Sequence, residues 1–487
     1  MKQLFDLFEQ EDIKYVHFKS NTNLDLSFSG KGDFDVLVES SSVHQIERLI
    51  ASVGGKRFNT FRLGNYPGVD NWLVFDFTTG VYYHLHLHFQ LDTGKALVKD
   101  YVIQLEELFF QTRVKDAKYD IYITNPNLEL LLLSVRLIVK SKWNDSLRGL
   151  FKSYTMPRSM KEEYFNLREK IQQEILLDMI EKTFPEQYHK RVFEIIMEKD
   201  PLQKTFPEFQ RIVRTTFKNN RRVNGTQASI LSTYYSLRRK ITQKVKNHSD
   251  CSVSIKKISL VSGNIIAFVG VDGAGKSTIT KEIYKWLNHK VECRRFYLGT
   301  GSNNRSRFIS IISSILKKMG GRSMESVEKS SFIDRLYWKS QIWNILNAER
   351  IIEKRIRAMH RYTLNGGVAL LDRYPQIEMI GANDGPKIVA YREAFNNNRY
   401  IQKKIDKEKE YLSIVRTIKP DLVMRINISA ETSMKRKPEQ ENVEVFQQKI
   451  EDLRLISFQQ AKIVDIDGEQ SIEKEIIEIK NNIWKII

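Results

Sequence analysis

Cysteine is scarce in this chain: two residues, Cys251 and Cys293, in a length of 487. A disulfide framework or a zinc–cysteine cluster is therefore not expected to organise the fold. Long apolar runs are missing as well, and none approaches the roughly 20 residues that a helix needs to cross a bilayer. The opening MKQLFDLFEQEDIK is amphipathic and partly acidic, without the basic head and apolar centre of a signal peptide. These absences point to a cytoplasmic location. Internal repeats are absent too. Acidic residues are outnumbered by basic ones, 59 against 78, for a net charge of +19. Such an excess suits anionic partners (nucleotides, nucleic acid or an acidic membrane surface) without choosing among them, and a solvated basic face is equally consistent.

What is present divides the chain, which is long enough for two or three domains. Residues 1–115 alternate short helical and strand-like segments. Positions 4–11 and 43–53 read as helices, 15–18 and 34–38 as strands, and 73–77 and 81–91 as a strand pair joined by Thr78-Thr79-Gly80. This is an α+β pattern around a small sheet. Residues 116–247 are mainly helical by periodicity, with 128–140 and the charged amphipathic run 160–182 as clear segments. Between Leu202 and Asn247 eleven Lys and Arg stand against one acidic residue, Glu208. With few aromatics for base stacking, Tyr234 and Tyr235 among them, this stretch reads as a solvated or interdomain surface. Positions 219–227 read as a loop and 248–262 as a linker. From 263 to 487 strands and helices alternate: strands at 265–269, 295–298, 368–371, 422–428 and 463–466, helices at 276–287 and 332–364. Alternation of this kind implies an α/β domain, a parallel sheet with helices on both faces.

One motif in that last region is complete. Gly270-Val-Asp272-Gly273-Ala274-Gly275-Lys276-Ser277 matches G-x-x-x-x-G-K-[ST], with the apolar run IIAFV before it and Thr278 and a helical pattern after it. Glycines let backbone N–H groups converge on phosphate oxygens, and the helix N-terminus adds partial positive charge. Lys276 would neutralise the β- and γ-phosphates, and Ser277 would offer a hydroxyl to Mg²⁺. The expected cofactors are ATP and Mg²⁺. Asp372 follows an apolar strand, so its carboxylate emerges at the C-terminal edge of the sheet, where ligands bind in open parallel sheets. Arg373 beside it could clamp an acceptor phosphate in the bidentate way that Lys cannot.

Five segments in order, FVGVDGAGKST, NAER at 347–350, VALLDRY at 368–374, KPDLVMRINIS at 419–429 and SMKRKPE at 433–439, resemble the thymidylate kinase family over most of 263–487. The resemblance implies a P-loop kinase that passes a phosphoryl group from ATP to a nucleoside monophosphate, a small phosphorylated acceptor. It implies acceptor contacts from Asp272, Arg350, Arg373 and Tyr374, metal binding by Ser277 and Asp372, and catalytic roles for Lys276, Asp372 and Arg373. Because position 274 is Ala, no arginine comes from the loop itself. Lys435, Arg436 and Lys437 of the lid, with Arg436 foremost, are the expected source of charge on the transferring group. The chain also departs from the family. The R-E-P-G-G-T segment is replaced by Leu298-Gly-Thr-Gly-Ser-Asn-Asn-Arg305, Pro375-Gln-Ile-Glu-Met follows D-R-Y, and Asn383-Asp-Gly-Pro386 reads as a further acceptor loop. These changes fall on the acceptor side, so a sugar or other small polyol phosphate is an alternative acceptor. An ATP-regulated binding protein with little turnover is the alternative of another class. A homodimer stays open.

The segments His17-Phe-Lys19-Ser20-Asn21 and Gly30-Lys-Gly-Asp33-Phe-Asp35 resemble the nucleotidyltransferase family, in which a turn precedes D-x-D at the start of a strand. Asp33 and Asp35, two apart, point to one face and could hold two Mg²⁺ ions. The resemblance implies a third carboxylate on a later strand. There His86 stands at the acidic position, His88 follows it, and Asp76 is the other candidate. His84, His86 and His88 share a face. Neighbouring pairs could chelate a transition metal, but three in a row are too spread for one tetrahedral ion. The face is read either as metal-contacting or as an ordered polar wall of a cleft.

Overall fold

The structure is a computed structural model that describes residues 1–60, 66, 68–141, 154–199, 202–248, 256–299, 307–319, 331–382, 384–436 and 443–487. The chain divides into two compact units, Met1–Ser249 and Asp250–Ile487.

In the first unit the alternating apolar residues fold as strands β1 (Tyr15–His17), β2 (Asp33–Val38), β3 (Gly55–Phe58), β4 (Val69–Asp76) and β5 (Val81–His88). A small pair, β6 (Leu91–Thr93) and β7 (Tyr101–Ile103), follows, then β8 (Val114–Lys115) and β9 (Tyr122–Ile123). The main sheet runs β3-β4-β5-β2-β1-β9-β8. β4 and β5 form the expected hairpin, and β2 lies parallel to β5 with Asp33 beside His84 and Asp35 beside His86. Because side chains alternate across a strand, Val36 and Leu37 serve different cores. Val36 packs with Leu4, Phe5 and Ile46 from helices Lys2–Gln10 and Val43–Ser52. Leu37 joins the leucine-rich helix Pro126–Val139 and the helices after it.

Helix Pro126–Val139 begins where local chemistry dictates: Asn125 accepts a hydrogen bond from the Asn127 N–H at 3.0 Å, and Pro126 takes the first helical position. The run 160–182, expected as one helical stretch, is two helices, Arg158–Arg168 and Gln173–Thr183. No Gly or Pro marks the break. A tertiary contact makes it: the Gln172 N–H donates to Asn127 Oδ1 at 3.0 Å, outside any helical ladder. The expected loop at 219–227 gives way at Gly225 to a long helix, Gly225–His248. Just before it Arg221 pairs with Asp100 at 2.9 Å and Arg222 with Asp92 at 2.7 Å, so part of the basic stretch is internal.

The second unit carries a five-stranded parallel sheet, β10 (Ile265–Val269), β11 (Cys293–Tyr297), β12 (Val368–Asp372), β13 (Leu422–Asn427) and β14 (Ile463–Asp467), in the order β11-β12-β10-β13-β14. Helices Lys276–Asn288, Phe332–Leu364 and Ile472–Ile486 pack against it. Residues expected to be linker already belong to this unit: the Lys257 N–H donates to the Lys290 carbonyl and the Ser259 N–H to the Gly366 carbonyl. The 33-residue helix opens on a reciprocal cap, Ser331 accepting from the Asp334 N–H while Asp334 accepts from the Ser331 N–H.

Candidate phosphate-binding site

β10 ends at the glycine-rich loop, and the next helix starts at Lys276. Gly273 and Gly275 sit at φ 89° and 83°, a left-handed backbone that a side chain would strain. At Gly270 a Cβ would come within 2.8 Å of the Ile426 carbonyl oxygen. The loop is thus folded by its glycines against β13. Lys276 is 7 % exposed and donates to the carbonyls of Gly270 at 2.9 Å and Val271 at 2.7 Å. Ser277 Oγ donates to Asp372 Oδ2 at 2.8 Å, joining the loop to the end of β12.

The neighbouring Arg373 adopts φ 69°, which turns its side chain back over the loop. Its guanidinium bonds Asp272 at 2.9 Å and faces Asp384 at 3.6 Å. Burial works against the charge of Arg373, but Asp384 and Asp272 outweigh it and hold the guanidinium protonated. From the end of helix Ala430–Arg436, Arg436 reaches the carbonyls of Gly273 and Gly468, each at 3.3 Å.

A cavity of about 620 Å³ opens over these groups, and its wall includes Asp272–Thr278, Asp372, Arg373 and Arg436. Two residues expected to contact an acceptor do not line this cavity. Tyr374 is 2 % exposed in the core, its hydroxyl bonded to the Ile418 carbonyl, and Arg350 is exposed on the long helix outside the cavity wall. Lys435 is exposed, and Lys437 and Asn383 lie outside the described residues. The cavity also has walls that sequence reading missed: Tyr297, Gly468, Gln470 and Glu475. Burial, with Asp467 and Glu478 adding to it against Arg436, pushes Glu475 up to about 7. The available signal was topological, since segments after the strands of a parallel sheet converge at one edge.

Beyond the cavity, Glu349 of the long helix meets Glu408, which accepts from the N–H groups of Lys387 and Ile388. Burial, then the negative charge of Glu408, pushes Glu349 up to about 10. It is therefore a neutral acid at physiological pH, able to share its proton with Glu408.

In the first unit, Asp33 and Asp35 do reach one face, where each shares a cluster with histidines: Asp33 with His84 and His86, Asp35 with His86 and His88. His84 Nδ1 lies 2.7 Å from Asp33 Oδ1. Asp35 Oδ1 is within 2.8 Å of the Lys19 ammonium and within 3.3 Å of nitrogens of His86 and His88. Burial alone would raise the Asp35 carboxyl, yet Lys19 and the two histidines hold it well below its ordinary value. Burial pushes His88 down to about 3, so it is neutral. Each cluster brings its carboxylate and imidazole atoms within 4.8 Å of one another, a set that could hold a metal ion, and Lys19 competes for Asp35. Asp76 accepts from the N–H groups of Thr78 and Thr79 and so serves the β4–β5 turn.

No known family model matches the chain. Over 208 residues, 42 % of this chain and 80 % of that protein, it is 27 % identical to the uncharacterized ATP-binding protein YghR of Escherichia coli K12. To the uncharacterized ATP-binding protein YghS of the same strain it is 28 % identical over 209 residues, 42 % of this chain and 85 % of that protein. Among solved structures, deoxyadenosine kinase from M. mycoides with bound dATP aligns with 45 % of this chain and 98 % of its own, at 18 % identity. The TM-score of that alignment is 0.27. Among the described residues no helix is long and apolar enough to cross a membrane.

Proposed function

We propose that the second unit transfers the γ-phosphoryl group of ATP to a small phosphorylated acceptor, with a nucleoside monophosphate as the preferred acceptor and thymidylate kinase as the nearest functional pattern. One observation carries this reading: the glycine loop, Lys276, Ser277, Asp372, Arg373 and Arg436 share one open cavity. The similarity to two proteins named as ATP-binding supports the choice of nucleotide.

The loop N–H groups and Lys276 would bind the β- and γ-phosphates, Lys276 exchanging its two carbonyl partners for phosphate oxygens. Ser277 and Asp372 are hard oxygen donors held 2.8 Å apart, a set that fits Mg²⁺ with water completing its shell. Such an ion would neutralise phosphate charge. Arg373, braced by Asp272 and Asp384, would orient the acceptor phosphate. An acceptor phosphate oxygen forms a bond to the γ-phosphorus as the bond to the β,γ-bridging oxygen breaks, and ADP leaves. Arg436, bonded to the Gly273 carbonyl, would stabilise the charge that spreads during this transfer. A cytoplasmic location belongs to the same reading.

A sugar or polyol phosphate is the second reading for the acceptor. It is favoured by the segment after β12: Gln376 is fully buried, and its amide is spent on its own loop, bonding the carbonyls of Met379 and Ala382 and the N–H groups of Glu378 and Met379. No residue of 375–379 lines the cavity. The test is label transfer from γ-labelled ATP to a panel of nucleoside monophosphates and sugar phosphates by the intact protein with Mg²⁺. Transfer to a nucleoside monophosphate supports the first reading, and transfer to sugar phosphates alone selects the second. Nucleotide binding that needs Lys276 without transfer to any acceptor would make the chain an ATP-regulated binding protein. Absence of Mg²⁺-assisted ATP affinity would end all three.

A further inference from the structure

A second concentration of charge lies wholly in the first unit. Lys19, Lys99, Arg136 and Lys140 line one narrow slot together with Asp92 and Thr93. They arrive from separate places: Lys19 just after β1, Lys99 between β6 and β7, and Arg136 and Lys140 one turn apart at the end of helix Pro126–Val139. The nearby carboxylates are already committed, Asp35 to Lys19 at 2.8 Å and Asp92 to Arg222 at 2.7 Å. Among the described residues, Arg136 and Lys140 have no side-chain hydrogen bond or ion pair, and Lys99 has only the ring of Tyr66, 5.4 Å away. Thr93, 4 % exposed, lines the same slot with a hydroxyl that has no partner there.

Like charges drawn together out of water repel one another and forfeit hydration. A fold keeps such an arrangement where a ligand supplies the missing charge. Burial, then Arg136, Lys99 and Lys19, pushes Lys140 down to about 6, and burial, then Lys19 and Arg136, pushes Lys99 down to about 8. The slot has only about 10 Å³ free, room for a water at most. At Lys140, however, it adjoins a cavity of about 370 Å³ whose wall includes Lys95, Lys240, Ser229, Ser232 and Thr233.

We propose that these adjoining cavities form an anion site for a phosphate-bearing small molecule, bound without a divalent metal. The phosphate sits on Arg136, Lys140 and Lys99 as the flexible lysine ends give way, and the rest of the ligand occupies the larger, mainly apolar cavity. Arg136 and Lys99 have no anionic partner among the described residues, and Lys140, pushed down to about 6, would take up a proton as a phosphate dianion arrives. Metal is unnecessary because Lys19 already neutralises Asp35.

The intact chain carrying Lys276→Ala, which silences the phosphate loop of the second unit, is titrated calorimetrically in excess EDTA with pyrophosphate, a hexose phosphate and ATP. Saturable binding of at least one probe is expected, weakened about tenfold or more by Arg136→Met and largely kept by Arg136→Lys. Which probe binds most tightly separates inorganic from organic phosphate as the source. Arg136→Met should melt no lower than its parent, because it removes a charge that had no partner, and Lys140→Met provides an independent second probe. The proposal is overturned by absence of binding in EDTA, by binding that appears only with Mg²⁺ or Zn²⁺, or by affinity unchanged in both Met variants. The kinase reading is tested separately, with Lys276 intact, so either can fail alone.

Discussion

The second unit prepares for phosphate with backbone, folding Gly273 and Gly275 into left-handed conformations so that amides and a helix start surround one point, and it supplies only a few side-chain charges. The first unit gathers side-chain cations at a slot, with no glycine loop in its wall, and leaves Arg136 and Lys140 without partners among the described residues. The difference is one of commitment. In the loop Lys276 is held by two carbonyls, whereas at the slot Arg136 and Lys140 have no side-chain hydrogen bond or ion pair among the described residues. Backbone cradles read shape and are hard to retune; side-chain clusters are easily altered by single substitutions.

Breaking the loop should have the largest effect. Lys276→Ala is expected to lower phosphoryl transfer by roughly 10²–10³-fold, measured as initial rate of label transfer with folding checked by circular dichroism. A loss below about tenfold would mean that the backbone alone carries the site. Asp372→Asn keeps the shape near Ser277 but removes the charge. The Mg²⁺ concentration for half-maximal rate should then rise about 10–100-fold, and an unchanged metal titration would remove Asp372 from the metal's surroundings. Arg373→Lys preserves charge without the fork that spans Asp272 and Asp384, so acceptor KM should rise about tenfold while ATP affinity holds; a shift in ATP affinity instead would place Arg373 on the donor side.

A smaller effect should appear in pH-dependent stability. Glu349 is raised to about 10 from 4.5, so the folded chain holds its proton across that window while the unfolded chain releases it. Its stabilising contribution is complete below about 4.5 and is lost as pH rises through about 10. Glu349→Gln keeps a neutral hydrogen-bonding group, and from about pH 6 to about pH 9 its melting temperature should fall a few degrees less than that of the native chain. Parallel profiles would deny the shared proton. Smallest of all, Asn125→Ala should cost about 1 kcal/mol by denaturant unfolding, a loss confined to one helix start.

Much of this architecture was legible because local signals suffice for it. The strands at β10 and β12 are apolar runs with clear ends, and helix Phe332–Leu364 has the bounds its periodicity sets. That the loop residues, Asp372 and Arg373 stand at the ends of parallel strands was also readable, and Arg436 lines the same cavity from the end of helix Ala430–Arg436. What escaped depends on distant partners. The break between Arg168 and Gln173 involves Asn127, the core position of Tyr374 needs Ile418, and the saturation of Asp35 needs Lys19 from another strand end. Gly468, Gln470 and Glu475 join the cavity although their local sequence carries no phosphate signature. Chain distance, more than weak propensity, set the boundary of what could be read.

Helix Phe332–Leu364, with 33 residues, is about 50 Å long. Its later turns are anchored in the sheet core through Ile352, Ile356 and Tyr362, while Trp338 and Ile342 belong to a separate apolar cluster with Ile388, Phe395 and Ile401. Mechanically it is a strut with two independently packed ends. Substitutions in the outer cluster can repack that end while the strut's root keeps its alignment on the sheet core. A helix of this construction can change at one end without being rebuilt at the other.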